Sequence, residues 1–280
     1  MENSDAPTGP NLGDSGDLLR SVYVEKGGVR GVFSSKVTDY AASRPDYPAA
    51  LYEALSDVRA LPRVPSVVAD LGAGTGLFCE GLLARGHHVF AIEPNAAMRA
   101  AADARLHGFA GYRGVDGSAE ATTLQDQSVD LVTAAQSFHW FEVEPTRREC
   151  LRILRPAGKV ALIWNDRILS DPLQREIEEI FAEFGGATRQ ALLAHESRRG
   201  SAQFFAGEGT IKIDLPHEHE LDREALRCLV LSRSYMPPRE SDAGRQALER
   251  VDRAFDAHSE SGRVVMRYRT QATIGIPLLS

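Results

Sequence analysis

Short apolar stretches alternate with helical ones between residues 66 and 166, and this alternation constrains the fold most strongly. Four strands are predicted by SVVADLG, HVFAIEPN, VDLVTAAQSFHW and KVALIWND, and a weaker one by AGYRGVDGSAEA. The intervening stretches LFCEGLLARG, AAMRAAADARLHG and EPTRRECLRILRPAG have helical spacing. Such alternation indicates βαβ units in a parallel sheet, and the apolar run VALIW is typical of a strand covered on both faces.

The rest of the chain predicts further helices and two late strands. A helical signal over residues 37–59 is interrupted by two prolines, and residues 171–199 are helical and charged. GTIKIDLPHEHEL and GRVVMRYRTQATIGI predict strands, and DREALRCLVLS between them predicts a helix. Because no repeat or low-complexity linker divides the chain, we predict one domain over residues 36–280 with a helical insertion at about 171–205.

Residues 1–35 are predicted to be an N-terminal extension to that domain. The first 13 residues are polar and rich in turn-forming types, which is typical of disorder. SGDLLRSVYVEK, which follows, predicts a short helix ended by a pair of glycines. Its apolar residues are expected to pack on the core or on another subunit, which would make the protein a homo-oligomer.

Composition excludes several classes of function. The formal net charge of −7 disfavours nucleic acid as a partner, because proteins that grip phosphate backbones are normally basic. No apolar run is long enough to cross a membrane. The acidic, polar N-terminus lacks the features of a signal peptide, so we expect a cytoplasmic protein. The three cysteines have neither disulfide nor metal spacing.

The loop after the first predicted strand, LGAGTG, is rich in glycine and follows Asp70. Glycines let a backbone turn sharply and approach a ligand closely. A dinucleotide fingerprint has the spacing G-x-G-x-x-G, but Leu77 occupies the position of its third glycine. Glu93 ends the second strand, where an acid can accept hydrogen bonds from ribose hydroxyls. The pattern indicates a cofactor that contains adenosine, and it disfavours a nicotinamide dinucleotide.

Five segments, taken in order, resemble the motifs of class I S-adenosylmethionine-dependent methyltransferases: VADLGAGTG, IEPNAAM, GSAEATTL, SVDLVTAAQSFHWF and RILRPAGKVALIW. YAASRPDYP, HWF, LSRSYMP and YRTQATIG resemble the small-molecule branch that includes trans-aconitate-type and natural-product methyltransferases. The resemblance implies a Rossmann-like α/β fold. Its seven-stranded, mostly parallel sheet has the order 3-2-1-4-5-7-6, an antiparallel last strand and helices on both faces.

The resemblance also implies roles in binding S-adenosylmethionine, whose product would be S-adenosylhomocysteine. The glycine loop would pass under the methionine part with an acid beneath it, and the acid after the second strand would bind the ribose. Ser118 stands where the family often has aspartate, so its bond to the adenine would be weaker. The implied cofactor-binding residues are Tyr40, Arg44, Asp70, Gly72, Ala73, Gly74, Glu93, Pro94, Met98, Ser118, Ala119 and Gln136.

His139 follows the fourth strand, at the edge where open α/β sheets bind ligands. It is the candidate general base, because histidine titrates near neutral pH, but it could equally shape the pocket without moving a proton. Phe138, Trp140, Phe141 and Trp164 could line an acceptor site or belong to the core. His217, Glu218 and His219 provide no obvious third metal ligand, so no metal is expected.

The acceptor is predicted to be a small molecule, and three readings stay open. The first is C-methylation of a terpenoid or indole in specialised, natural-product metabolism, which rests on the aromatic residues and the resemblance. The second is O-methylation of a carboxylic acid of the trans-aconitate type, which would require basic residues facing the acceptor. The third is a protein that binds the cofactor without catalysis, although the intact glycine loop and its two acids argue against that reading.

Overall fold

The computed structural model describes residues 44–195, 203–205 and 209–278. The predicted extension over residues 1–35, its helix and Tyr40 lie outside the described residues. The helices are α1 (Ala49–Asp57), α2 (Leu77–Leu83), α3 (Ala96–Leu106), α4 (Val143–Ile153), α5 (Pro172–His195), α6 (Arg223–Leu231) and α7 (Asp242–His258). The strands are β1 (Val67–Leu71), β2 (His88–Ile92), β3 (Tyr112–Val115), β4 (Val129–Ala135), β5 (Leu154–Arg167), β6 (Ile211–Leu221) and β7 (Val264–Gly275).

The strands form one sheet in the order β3-β2-β1-β4-β5-β7-β6. β1 to β5 pair in parallel, whereas β7 is antiparallel to both of its neighbours. The predicted fold class and strand order are therefore confirmed. The carboxyl ends of β1, β2 and β4 lie together at one edge, which is where such sheets bind ligands.

Both faces of the parallel part of the sheet are buried. Val68 and Leu131 pack with α1 and α2 on one face, while the adjacent residues Ala69 and Val132 pack with α4 on the other. Successive residues of a strand point to opposite faces, so a strand covered on both sides is apolar throughout. A third apolar cluster lies where α5, α6 and α7 pack on β6 and β7, around residues such as Phe181.

Two elements differ from the sequence expectation. The helix predicted by EPTRRECLRILRPAG ends at Ile153, and the LRPAG portion belongs to β5. The reason is Pro156, which lacks an N–H and disfavours helical backbone at the residue before it. α7 is not predicted by the sequence analysis, although Ser241 caps its start by accepting from the Gly244 N–H at 3.0 Å. None of the helices within the described ranges is both long and apolar enough to cross a bilayer.

Candidate active site

The glycine loop joins β1 to α2 at the centre of the sheet edge. The backbone N–H groups of Gly72 and Ala73 both donate to the carbonyl of Ile92, at 2.9 and 3.1 Å, so the loop is held against the end of β2. Gly72 has a φ of +65°, and a Cβ there would lie 2.8 Å from the Cβ of Ser137. Only glycine therefore fits where the loop passes the segment after β4.

The carboxylate of Glu93 connects this loop to the start of α3. One oxygen accepts from the Gly74 N–H and the other from the Asn95 N–H, both at 2.9 Å. Asn95 in turn caps α3 by accepting from the N–H groups of Ala97 and Met98. A carboxylate oxygen can accept more than one hydrogen bond, so these contacts leave the predicted ribose role chemically feasible.

Asp70 lies at the end of β1 and is 1% exposed. Its carboxylate accepts from the Thr133 hydroxyl at 2.6 Å and from the Cys79 thiol at 3.2 Å. Burial and, to a smaller extent, the charge of nearby Glu93 raise the pKa of Asp70, the hydrogen bonds from Thr133 and Cys79 oppose the shift, and the net result is a pKa of about 6. A cation bound nearby would stabilise the ionised form of this carboxyl group.

A cavity of about 360 Å³ is lined by every predicted cofactor residue in the described part of the chain. The glycine loop, the acids at the ends of β1 and β2, and the apolar side chains of Met98 and Ala119 line this cavity. Together these groups suit an adenosine with a charged methionine tail. Its lining also includes residues that were not predicted, among them Tyr47, Asn165, Arg233 and Tyr268. The predicted cofactor residues that line it are Arg44, Asp70, Gly72, Ala73, Gly74, Glu93, Pro94, Met98, Ser118, Ala119 and Gln136.

A second cavity of about 380 Å³ adjoins the first. His139, Trp140 and Trp164, all predicted on the acceptor side, line it together with residues of α5. The two cavities share a wall formed by Arg44, Gln136, Trp140, Asn165 and Arg233.

The structure places the other two predicted acceptor residues differently. Phe138 lines neither of these cavities; it is buried against Phe204, with ring centroids 5.2 Å apart, and is a core residue. Phe141 lines the first cavity beside Gly72 rather than the second. Adjacent aromatic residues show no spacing that would distinguish core positions from positions in a pocket. The sequence therefore could not show which of these aromatic side chains face the cavity.

Four arginines among the described residues line the second cavity: Arg44, Arg167, Arg189 and Arg233. Arg167 and Arg189 both form ion pairs with Glu178 of α5. The guanidinium groups of Arg167 and Arg233 lie 5.0 and 5.6 Å from the ring centroid of Phe181. Of the four, only Arg44 was predicted. Arg167 is the last residue of β5, and the carboxyl end of this strand lies at the ligand-binding edge. For the three arginines that were not predicted, this position was the one sequence signal for a role in the site.

The histidines of HEH lie on β6, away from the glycine loop. His217 Nε2 is 3.1 Å from a carboxylate oxygen of Asp46, and this contact lowers the pKa of Asp46. Burial lowers the pKa of His219. Within the described ranges no group of three histidine, cysteine or acidic side chains could hold a metal ion.

Comparison with known proteins identifies the family. Residues 69–162 match the family described as a methyltransferase domain. The chain is 30% identical over 247 residues to an uncharacterized methyltransferase-like protein of Schizosaccharomyces pombe, covering 86% of this chain and 93% of that protein. It is 34% identical over 228 residues to an uncharacterized methyltransferase of Mycobacterium tuberculosis, covering 81% and 86% of the two chains.

A solved structure has the same fold. The structure of a proposed type II methyltransferase from Anaeromyxobacter dehalogenans superposes with a TM-score of 0.55 at 24% identity, covering 84% of this chain and 96% of that one. The strand order, the glycine loop with its two acids and the full-length relatives therefore lead to one conclusion: the chain belongs to the class I S-adenosylmethionine-dependent methyltransferases and is an enzyme of that family.

Proposed function

We propose that this enzyme methylates a carboxylate oxygen of a small organic acid. The observation that carries the proposal is the wall of four arginines in the second cavity. Two acids offset part of this charge: Asp166 lines the cavity, and Glu178 pairs with Arg167 and Arg189. The four arginines and the two acids together carry a net charge of +2. The planar fork of a guanidinium matches a carboxylate with two parallel hydrogen bonds.

The first cavity would hold the methyl donor in this proposal. Glu93 would bind the ribose, the loop at Gly72 to Gly74 would pass under the methionine part, and Met98 and Ala119 would contact the adenine. When bound, S-adenosylmethionine supplies a methyl carbon activated by its sulfonium, so transfer forms a C–O bond while the electron pair of the broken S–C bond stays on sulfur. The shared wall would keep the two reactants adjacent and aligned.

A carboxylate acceptor makes a general base unnecessary. Carboxylic acids have pKa values near 4 and are ionised at neutral pH. His139, in the short 3-10 helix Phe138–Trp140 after β4, would then shape the acceptor cavity together with Trp140, whose ring centroid is 4.9 Å away. Its role would be steric, and the rate would not depend on proton removal.

One relative supports an acid as acceptor. A malonyl-[acyl-carrier protein] O-methyltransferase of Methylococcus capsulatus is 32% identical over 165 residues, covering 58% of each chain. By its name that enzyme methylates the oxygen of an acid, although the match covers only part of both proteins.

C-methylation of a terpenoid or indole natural product is the second candidate. Trp140 and Trp164 give the second cavity two aromatic walls, and an aromatic face stabilises a cationic centre. A neutral acceptor, however, would offer the guanidinium groups that line this cavity no negatively charged oxygen. The arginine wall therefore favours the acid.

The test is a panel of acceptors offered to the full chain with S-adenosylmethionine. Mono-, di- and tricarboxylates, including trans-aconitate, are compared with indoles and prenyl alcohols, and methyl esters are detected by mass spectrometry. We expect esters, and a KM for the acid raised roughly tenfold in Arg189→Met. The matched control Arg105→Met changes an arginine that pairs with Glu80 outside both cavities. Turnover of neutral acceptors alone would refute the proposal.

A further inference from the structure

Tyr268 is a buried residue that the sequence analysis does not assign to the site. It lies on β7, is 2% exposed and lines the first cavity. Its neighbours in strand register are Arg167 on β5 and His217 on β6. Directly paired residues project from the same face of a sheet, so the tyrosine and Arg167 share one face at the boundary of the two cavities.

The hydroxyl of Tyr268 is buried and makes no hydrogen bond to any described residue. Buried hydroxyl groups are nearly always hydrogen-bonded, because a missing partner leaves their desolvation uncompensated. Tyr52 gives the contrast within this chain, since its buried hydroxyl donates to the carbonyl of Phe78 at 3.2 Å. An unpaired group that borders a cavity is therefore a candidate contact for whatever fills that cavity.

The surroundings of this hydroxyl are positively charged. Burial raises the pKa of Tyr268, while the charges of Arg233, Arg167 and Arg44 act in the opposite direction. The phenol thus stays protonated at neutral pH and can donate a hydrogen bond. A donor close to guanidinium groups forms a site for a negatively charged oxygen.

The site lies where the two cavities meet. Tyr268 lines the first cavity but not the second, whereas its register neighbour Arg167 lines only the second. β7 is separated from β1 by β4 and β5, so at roughly 4.8 Å between neighbouring strands it is about 14 Å from the strand that carries the glycine loop. The tyrosine therefore lies at the end of the first cavity that adjoins the second, where the acceptor carboxylate must reach the methyl group.

We propose that Tyr268 orients the acceptor by donating a hydrogen bond to the carboxylate oxygen that is not methylated. The inference rests on the proposed function, because it assumes an acid as acceptor. The attacking oxygen loses its negative charge during methyl transfer, so a strong hydrogen bond to that oxygen would hold back its electron pair and slow the reaction. A bond to the other oxygen fixes the carboxylate without this penalty.

The first test is Tyr268→Phe, which removes the hydroxyl and keeps the ring. The KM for the acid should rise about tenfold or more, whereas kcat should change by less than about threefold, because the bond is present in both ground and transition states. The dissociation constant of S-adenosylhomocysteine, measured by calorimetry, should not change. The matched control Tyr112→Phe removes a hydroxyl bonded to Asp103 outside both cavities and should change none of these values.

Two thermal measurements test the inference without turnover. In the unliganded protein, Tyr268→Phe should melt no lower than wild type, because the hydroxyl has no partner to lose, whereas Tyr52→Phe should melt lower. With S-adenosylhomocysteine present, trans-aconitate should raise the melting temperature of wild type more than that of Tyr268→Phe.

The outcomes separate this inference from the proposed function. If wild type esterifies no acid but trans-aconitate still protects it more than Tyr268→Phe, the function fails while the acid-binding role of the tyrosine stands. If acids are esterified and Tyr268→Phe keeps the wild-type KM, the inference is overturned. It is also overturned if S-adenosylhomocysteine binds more weakly to the variant, or if trans-aconitate protects both proteins equally or neither.

Discussion

Asp70 has a carboxyl group whose ionisation in the folded protein differs from that in the unfolded chain. Its pKa is raised from 3.8 to about 6. The folded state therefore binds more protons than the unfolded state between those values, and this residue increases stability as the pH falls through 6. At pH 7 the buried charge lowers stability by roughly 3 kcal/mol.

Asp70→Asn should reveal this contribution. The variant has no charge to bury, and its amide oxygen can still accept from Thr133. We expect the melting temperature of the variant, relative to wild type, to be higher at pH 7.5 than at pH 5. Thermal unfolding of both proteins across that range checks the expectation. A difference that stays constant with pH would contradict it; the exposed Asp57→Asn serves as the control.

His139 provides a second prediction at the residue scale. If the acceptor is ionised before it binds, His139→Gln should change KM through the shape of the cavity but leave the pH dependence of kcat as in wild type. Release of S-adenosylhomocysteine from pH 6 to 9, at saturating acid, measures this. A wild-type rate that rises with pH through neutrality, together with a flat profile in the variant, would assign the histidine as a base.

The site residues that the sequence could identify are those with a local signature. Asp70, the glycines and Glu93 lie at fixed spacings after predicted strands, so their joint position follows from the βαβ pattern. Arg167, Arg189, Arg233 and Tyr268 come from four separate elements or connections, and only tertiary packing brings them together. No spacing within the chain encodes that proximity.

Among the elements, α5 owes its shape to one residue. Gly186 has φ 54° and ψ −150°, which divides the helix into two segments. This conformation is almost restricted to glycine. Arg189 and Leu192, in the second segment, line the second cavity, so the direction of that segment helps to form this cavity.

Gly186→Ala should therefore affect both stability and acceptor binding. A Cβ at this position would meet no atom within 4 Å, so the effect comes from the backbone alone. We expect about 1–3 kcal/mol lower stability and a raised KM for the acceptor. Denaturant unfolding and steady-state kinetics measure the two effects. The control Ala182→Gly, at an exposed position of the first segment, should lower stability slightly and leave KM unchanged. An unaltered KM in Gly186→Ala would show that the kink does not contribute to acceptor binding.

The predictability of elements depended on periodicity. β1, β2, β4 and the core of β5 are apolar runs, and the sequence places all of them. The end of α4 was misplaced because its helical spacing continues up to Pro156. α7 alternates charged and small residues, with few large apolar side chains among its buried positions. Its buried positions nevertheless have helical spacing after the N-cap Ser241, so the sequence contains a signal for α7 that was missed.

At the scale of the whole molecule, the proposed function would have the two reactants bound by different parts of one sheet. The first cavity is lined largely by β1, β2, β4 and the loops after them, whereas the second is lined largely by α5, the end of β5 and the segment after α6. α5, α6 and α7 have an apolar cluster of their own against β6 and β7. Ligands should therefore protect the two parts separately.

Hydrogen exchange can measure this division. S-adenosylhomocysteine alone should slow amide exchange most in residues 70–76, 93–98 and 136–141. Adding an organic acid should then slow exchange in residues 185–193 and 233–235. Full-length protein is compared with each ligand singly and together. Protection of both regions by S-adenosylhomocysteine alone would mean that the two parts close as one unit.

The arginine wall has a consequence for product release. In the proposed reaction, methylation would remove the negative charge of the acceptor carboxylate, so the ester could no longer pair with the guanidinium groups that held the acid. The reaction would thereby weaken the binding of its own product, and the ester would leave without a separate opening step. The contacts of S-adenosylhomocysteine in the first cavity do not depend on that charge. We therefore expect the release of S-adenosylhomocysteine to be the step that limits turnover.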